Sequence, residues 1–272
     1  MSQFTEIPNE YFEVEHIKMN ADNKLCENFA EPFDSFISGF CMNINGYSGS
    51  GKSNLLQNLF KMKNKKGKKC SFKCCFHRIF YVCPSQESVE KNVFSSLPDE
   101  YKFTKLNDFL TNYIEILKND DDDNKGKVVD NCEHEKKRDK LTNPPKKKKH
   151  KEVLVIMDDV GTEIRLGENE KLFNKMVANR RHNHVSIINI TQRMMQIPPS
   201  IRGNLSHLIS FKPKSIQEED IIYDFTKLPK KELRSFFNFI FKEKHDFLLI
   251  DMSLIKANDF RLFRRFSEVK ID

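Results

Sequence analysis

Residues 46–53 read Gly-Tyr-Ser-Gly-Ser-Gly-Lys-Ser, an order of residue types suited to holding a chain of phosphates. Gly46, Gly49 and Gly51 permit positive φ and leave no side chain between backbone amides and ligand. The amides then form a concave nest for phosphate oxygens at the positive end of the helix that follows. Lys52 is spaced to reach the β- and γ-phosphates, and the Ser53 hydroxyl to ligate Mg²⁺. Ser48, Ser50 and Asn54 complete the set of residues expected to bind ATP–Mg²⁺.

Two further groups of residues complement such a loop. Val153–Asp158 is an apolar run ending in an acid, followed at once by Asp159. A strand built this way projects a carboxylate from the sheet's C-terminal edge toward a metal. Asp158 is therefore expected to hold Mg²⁺, mostly through water. Asp159, one step outside the pleat, either orients and polarises an attacking water or serves as a helix cap or loop acid. Glu163 is a second candidate for the base. The run Ile187-Ile-Asn-Ile-Thr-Gln192 places a polar pair at the end of a buried strand beside the Asp158 strand, expected to face the γ-phosphate. Gln192 can bond both a lytic water and a phosphate oxygen, or be a satisfied strand-end amide.

Arg180 and Arg181 stand just before that strand. Two cations at a helix C-terminus complement the macrodipole. They can equally supply an arginine finger to a neighbouring subunit's phosphoryl group; spacing does not choose between the two.

The elements that must position these residues follow from pattern. Ile37–Ile44 reads as a buried strand feeding the glycine loop, and Asn54–Phe60 as an apolar-faced helix. Further strands are expected at Tyr11–Met19, Arg78–Cys83, Tyr101–Lys105, Glu152–Met157, Val185–Ile190, His207–Phe211 and Phe247–Asp251. Helices are expected at Glu87–Leu97, Asn107–Leu117, Glu168–His182, Ile216–Phe225 and Lys230–Lys242. Alternating helices and near-continuous apolar strands imply an α/β sandwich whose central sheet is mainly parallel and covered on both faces. One such domain, residues 37–272, follows a short lead-in at 1–36. Residues 118–151 carry an acidic run, Asp120–Asp123, and the string Pro144-Pro-Lys-Lys-Lys-Lys-His-Lys151. A segment this long without pattern reads as a disordered surface insertion.

Composition narrows the classes. The chain has 272 residues, enough for one sizeable α/β domain, and a formal net charge of +7 that suits a polyanionic partner. The lysines of 61–69 and 146–151 could track DNA phosphates, form a nuclear-targeting patch, or be solvated loops that bind nothing. No apolar stretch approaches the roughly 20 residues that span a bilayer, and the N-terminus lacks the pattern of a secretory signal. Seven cysteines, an odd number, fit reduced thiols. The crowd of Cys70, Cys74, Cys75, His77 and Cys83 is too irregular in spacing to read as a structural zinc site. Arg261, Arg264 and Arg265 are candidates for a subunit interface.

Together these residues resemble a known family. Asp158-Asp159, the run from Arg180 to Gln192, and Ile197-Pro-Pro-Ser-Ile-Arg-Gly-Asn204 are similar to the poxvirus-type DNA-packaging ATPases. That family lies in the FtsK–HerA branch of P-loop NTPases (RecA/FtsK-like three-layer folds). Phe80-Tyr-Val-Cys-Pro-Ser85 and Phe247–Asp251 share the likeness, which covers roughly residues 37–117 and 152–266. The glycine loop is common to many families; the Arg180–Asn204 run is the specific part. The broad class usually carries Glu where this chain has Asp159, an acid of shorter reach, and the 118–151 insertion is not part of the family pattern.

The resemblance implies a Mg²⁺-dependent ATPase that drives double-stranded viral DNA into a preformed capsid. It implies that Gln192 senses the γ-phosphate and that Arg181 acts in trans within a homo-oligomeric ring, a pentamer or hexamer. It also implies capsid proteins as partners, no membrane, and a place in the host cytoplasm, the viral factory or the virion. The rival readings are a translocase or helicase of the same superfamily, and an assembly protein gated by nucleotide.

Overall fold

The computed structural model describes residues 36–61, 72, 75–85, 94–118, 152–226, 228–253 and 260–270. The expected strand at Tyr11–Met19, most of the Glu87–Leu97 helix, the lysine strings apart from Lys61, residues 119–151 of the insertion, Cys70 and Cys74 lie outside those residues. Among the described residues no group of three or more His, Cys, Asp or Glu is placed to hold a metal.

The parallel part of the sheet comprises β1 (Cys41–Asn45), β2 (Arg78–Val82), β3 (Lys102–Phe103), β4 (Val153–Asp158), β5 (Val185–Thr191) and β6 (His207–Phe211). It is extended by β7 (Phe247–Asp251), β8 (Arg261–Arg264) and β9 (Ser267–Val269), which pair antiparallel. The order across the sheet is β3-β2-β4-β5-β1-β6-β7-β8-β9. The mainly parallel sheet expected from the apolar runs is thus present, with an antiparallel flank that short strands set between arginines did not announce.

Strand residues alternate between two cores, as a pleat requires. Val153, Val155 and Met157 of β4 enter one core with Val185 and Ile187 of β5. Leu154 and Ile156 enter the other with Ile188, Ile190, Met42 and Ile44. On the second face lies α1 (Lys52–Lys61), which buries Leu55, Leu56, Leu59 and Phe60. On the first lie α2 (Leu106–Lys118), α4 (Glu168–Asn179), α6 (Ile216–Thr226) and α7 (Lys230–Ile240), through Phe109, Phe173, Ile222 and Phe237. Helices on both faces make three layers.

Two one-turn helices are new relative to the sequence pattern: α3 (Gly161–Ile164) and α5 (Pro199–Arg202). Each is shorter than the window over which a 3.6-residue period can be read. They matter because α3 follows Asp158-Asp159 directly, and a 3₁₀ turn at Met194–Gln196 follows Gln192. Register fixes what meets at the sheet edge. Asn45 pairs with Thr191 and Asp158 with Ile190, so β1, β4 and β5 end side by side.

Candidate active site

The glycine loop leaves β1 and turns into α1. Gly49 and Gly51 take φ of 77° and 112°, the left-handed side that glycine alone adopts cheaply. At Gly46 a Cβ would lie 2.6 Å from Ser50 Oγ and 2.9 Å from Phe211 Cβ, so the loop closes tightly over the sheet edge. Lys52 folds back over the loop, its Nζ donating to the Gly46 carbonyl and, at 3.0 Å, to that of Tyr47. Burial pushes the Lys52 ammonium below its ordinary pKa, against the pull of Asp158 and Asp159. The lysine and the two acids therefore share one electrostatic site.

Asp158 ends β4. Burial raises its carboxyl above the ordinary range and Asp159 adds to the rise, while a hydrogen bond from Tyr81 and the charge of Lys52 pull it down. The Tyr81 hydroxyl donates to Asp158 Oδ2 at 3.0 Å, and its ring stacks on Phe94 at 4.8 Å. A half-buried acid pushed up by burial and a neighbouring acid favours a cation beside it. With the exposed Ser53 hydroxyl on the first turn of α1, it offers the hard oxygen donors that Mg²⁺ prefers.

Asp159 leaves the pleat with φ 59°, a conformation few non-glycine residues take and one in which Asp is enriched. Its amide donates to Ile190 O of β5 at 3.2 Å. The turn aims its carboxylate at Gln192, whose Nε2 lies 3.0 Å from both Asp159 oxygens. The two residues expected at the ends of neighbouring strands thus touch. Gln192 is itself held by Gln196, whose Oε1 accepts from the amides of Gln192 and Arg193, each at 3.0 Å. A Cβ on Gly161 would come within 2.8 Å of the Gln196 side chain, so only glycine lets α3 approach this turn.

Several sequence expectations change here. Thr191 does not join Gln192 in facing the site: it is fully buried and turned toward Asn43 and Asn45, because successive strand residues point to opposite faces. Glu163 Oε2 accepts from Leu106 N at 3.0 Å, capping α2. Arg261, Arg264 and Arg265, candidates for an interface, make ion pairs within the chain. Arg261 pairs with Asp251 at 2.9 Å. Arg264 and Arg265 hold the buried Asp246 at 2.8 and 2.6 Å.

The two arginines before β5 separate cleanly. Arg180 is buried, with Nη1 donating to Val177 O at 2.7 Å and Nη2 to Asn204 O at 3.0 Å. Arg181 is exposed. Both sit at the start of β5, whose seven residues separate them from Gln192 by about 20 Å at roughly 3.3 Å per residue. Arg181 lines a cavity of about 340 Å³ with Arg180, Ala178, Gly203, Asn204 and Met252. Within one copy, this edge is the one opposite the phosphate loop.

Three neighbours of the loop carried no legible signal. His245, before β7, bonds through Nδ1 to the Ser50 carbonyl at 2.9 Å. The Lys214 ammonium stands 3.7 Å from the centre of the Tyr47 ring, a cation–π distance. Arg193 is exposed directly beside Gln192.

Known proteins give the following comparisons. The chain superposes on the DNA-packaging ATPase B204 of Sulfolobus turreted icosahedral virus with a TM-score of 0.49 and 16% identity, covering 83% of this chain and 97% of that one. For the genome-packaging NTPase B204 of Sulfolobus turreted icosahedral virus 2, in complex with ATP-gammaS, the TM-score is 0.50 at 12% identity, over 83% and 96%. The pCW3 conjugation coupling protein TcpA gives 0.45 at 14% identity, over 84% and 60%. Comparison with curated protein sequences returns no match. At 12% identity, the superposition that reaches a TM-score of 0.50 speaks to the fold alone. The family model described as "Poxvirus A32 protein" matches residues 34–265, a span that takes in the glycine loop, Asp158-Asp159, Arg181 and Gln192. The chain belongs to the poxvirus A32 protein family.

Proposed function

We propose that the chain is an ATP-hydrolysing motor that moves double-stranded viral DNA into a preformed capsid. The observation that carries the reading is the contact of Gln192 with both oxygens of Asp159, beside a phosphate loop that shares its electrostatics with Asp158. Membership of the poxvirus A32 family supports the packaging role, together with the resemblance of the Arg180–Asn204 run to packaging ATPases.

Each residue then has a task. The amides of residues 46–53, with Ser48, Ser50 and Asn54 around them, seat the phosphates of ATP, and Lys52 turns from the loop carbonyls to the β- and γ-oxygens. Ser53 and Asp158 would hold Mg²⁺, which would supply charge neutralisation at the transferring phosphoryl group. Asp159 accepts a proton from the attacking water. The water oxygen bonds to the γ-phosphorus as the bond to the bridging oxygen breaks, leaving ADP and phosphate. Gln192 bridges the water and a γ-oxygen, and so reports whether the γ-phosphate is present.

Arg181 lies at the far edge of its own copy, which suits donation to the site of a neighbour. The working form is a ring, a pentamer or hexamer, in which hydrolysis shifts subunit contacts and the loops that grip the DNA backbone. The ring docks on capsid proteins in the host cytoplasm or viral factory. No helix among the described residues is long and apolar enough to cross a bilayer.

The test is ATP turnover with and without double-stranded DNA over a salt series. A motor gripping phosphates is stimulated by DNA, and the stimulation falls steeply with salt. Turnover indifferent to DNA would reject the motor in favour of a nucleotide-gated assembly protein. DNA entry into empty capsids, scored by nuclease protection, separates packaging from translocation alone.

A further inference from the structure

Beneath the site runs a line of buried polar side chains that the reaction does not use. In strands whose other residues are apolar apart from Ser186, β1 carries Asn43 and Asn45 opposite Asn189 and Thr191 of β5. All four are at most 2% exposed. Asn189 Nδ2 donates to Asn43 Oδ1 at 3.0 Å. Asn43 Nδ2 lies 3.4 Å from Thr191 Oγ1 and 3.3 Å from Met194 Sδ. Thr191 Oγ1 in turn lies 3.4 Å from Asn45 Oδ1.

A ladder of this kind is a poor device for holding two strands together. The parallel register is already set by the alternation of apolar residues between two cores. Asn189 Oδ1 is buried without a hydrogen-bond partner among the described residues, a cost that an apolar pair would avoid. What the ladder does reach is the chemistry at its upper end. Asn45 precedes Gly46 and Thr191 precedes Gln192, and the Gly46 amide donates to the Thr191 carbonyl at 3.1 Å. Met194 belongs to the 3₁₀ turn whose Gln196 side chain holds the amide of Gln192. Asn43 is the member that touches both strands and that turn.

We infer that Asn43 is a positioning residue for Gln192: through Thr191 and Met194 it fixes the Gln192–Gln196 turn against the root of the phosphate loop. The inference rests on the reading of Gln192 as the γ-phosphate sensor. In that reading the ladder carries a displacement of the loop on nucleotide binding to the sensor turn, and the reverse. Its loss leaves ATP binding to the loop intact and slows the chemical step.

The experiment is a double-mutant cycle on ATP turnover with Asn43→Leu and Gln192→Ala, run beside equilibrium binding of a fluorescent ATP analogue and thermal unfolding. The pair Asn43→Leu/Asn189→Leu removes both facing amides together and guards against misfolding of the single variant. The expected result is a fall of about tenfold or more in kcat for Asn43→Leu, binding of the analogue within about twofold of the parent, and no further fall when Asn43→Leu is added to Gln192→Ala. Fully additive losses, or a loss of binding in proportion to kcat, would overturn the positioning role while leaving the sensor standing. A Gln192→Ala protein with unchanged kcat would sink the sensor reading and this inference with it.

Discussion

The hydroxyl of Tyr81 donates to Oδ2 of Asp158 across 3.0 Å, joining β2 to the acid that ends β4. The bond opposes the effect of burial, which raises the Asp158 carboxyl. Removing it therefore moves the Asp158 pKa further up. Tyr81→Phe, which keeps the stack on Phe94, is expected to shift the acid limb of the kcat/KM profile to higher pH and to raise the Mg²⁺ concentration needed for half-maximal turnover. An acid limb that stays in place would show that the phenol does not tune the metal-holding acid.

Asp159 and Glu163 divide between chemistry and folding. Asp159→Asn keeps one of the two oxygens that accept from Gln192 but gives up the proton acceptor, so ATP binds and turnover falls by at least about 10²-fold. Glu163→Ala removes the carboxylate that accepts from Leu106 N. It is expected to cost roughly 1.5–3 kcal/mol of stability as a charged hydrogen bond, with kcat changed little once the protein is folded. Calorimetry and steady-state kinetics on both variants check this; a Glu163→Ala protein of normal stability and no turnover would reverse the assignment.

The arginines before β5 make a parallel contrast. Arg180→Ala leaves the carbonyls of Val177 and Asn204 without their donor and opens space in a buried site. A loss on the order of 3 kcal/mol is expected, read as a fall in Tm. Arg181→Ala, at an exposed side chain, is expected to leave Tm in place and lower turnover of the assembled protein by about 10³-fold or more. Mixing Arg181→Ala with Lys52→Ala subunits should recover part of the activity, since some interfaces then join an intact loop to an intact arginine. An absence of recovery in mixed oligomers would argue against donation in trans.

What the sequence made legible follows from range. Gly46–Ser53 is a local motif in which neighbours along the chain form the nest, and its conformation matches the residue types. Asp159 and Gln192 were identifiable singly, because each ends an apolar strand. Their strands were expected side by side, as β4 and β5 are; what brings the two side chains into contact is the positive φ of Asp159, which a strand pattern does not show. Thr191 was misjudged for a related reason: period two puts it on the face opposite to its neighbours, toward Asn43. The division between Arg180 and Arg181 depends on the carbonyl of Asn204, 24 residues away. The β8–β9 hairpin escaped notice because its arginines were considered only as candidates for a subunit interface, while in the fold they neutralise the buried Asp246 and Asp251.

His207 is fully buried at the start of β6, with its ring 3.8 Å from that of Phe36. Its Nδ1 lies 2.9 Å from Ser206 Oγ. Nε2 stands 3.3 Å from Asp251 Oδ1, an ion pair only when the imidazole is protonated. Burial pushes the His207 pKa below its ordinary value of 6.5; Asp251 pulls it back up and Arg261 adds to the fall. The folded protein therefore holds fewer protons here than the unfolded chain once pH drops below 6.5. Stability from this site is complete above that pH and is lost as pH falls through the folded-state pKa, at a rate of at most about 1.4 kcal/mol per pH unit. Denaturant melts from about pH 7.5 to pH 5.5 should show the decline, and His207→Gln should flatten it. An equal slope in both proteins would place the titration elsewhere.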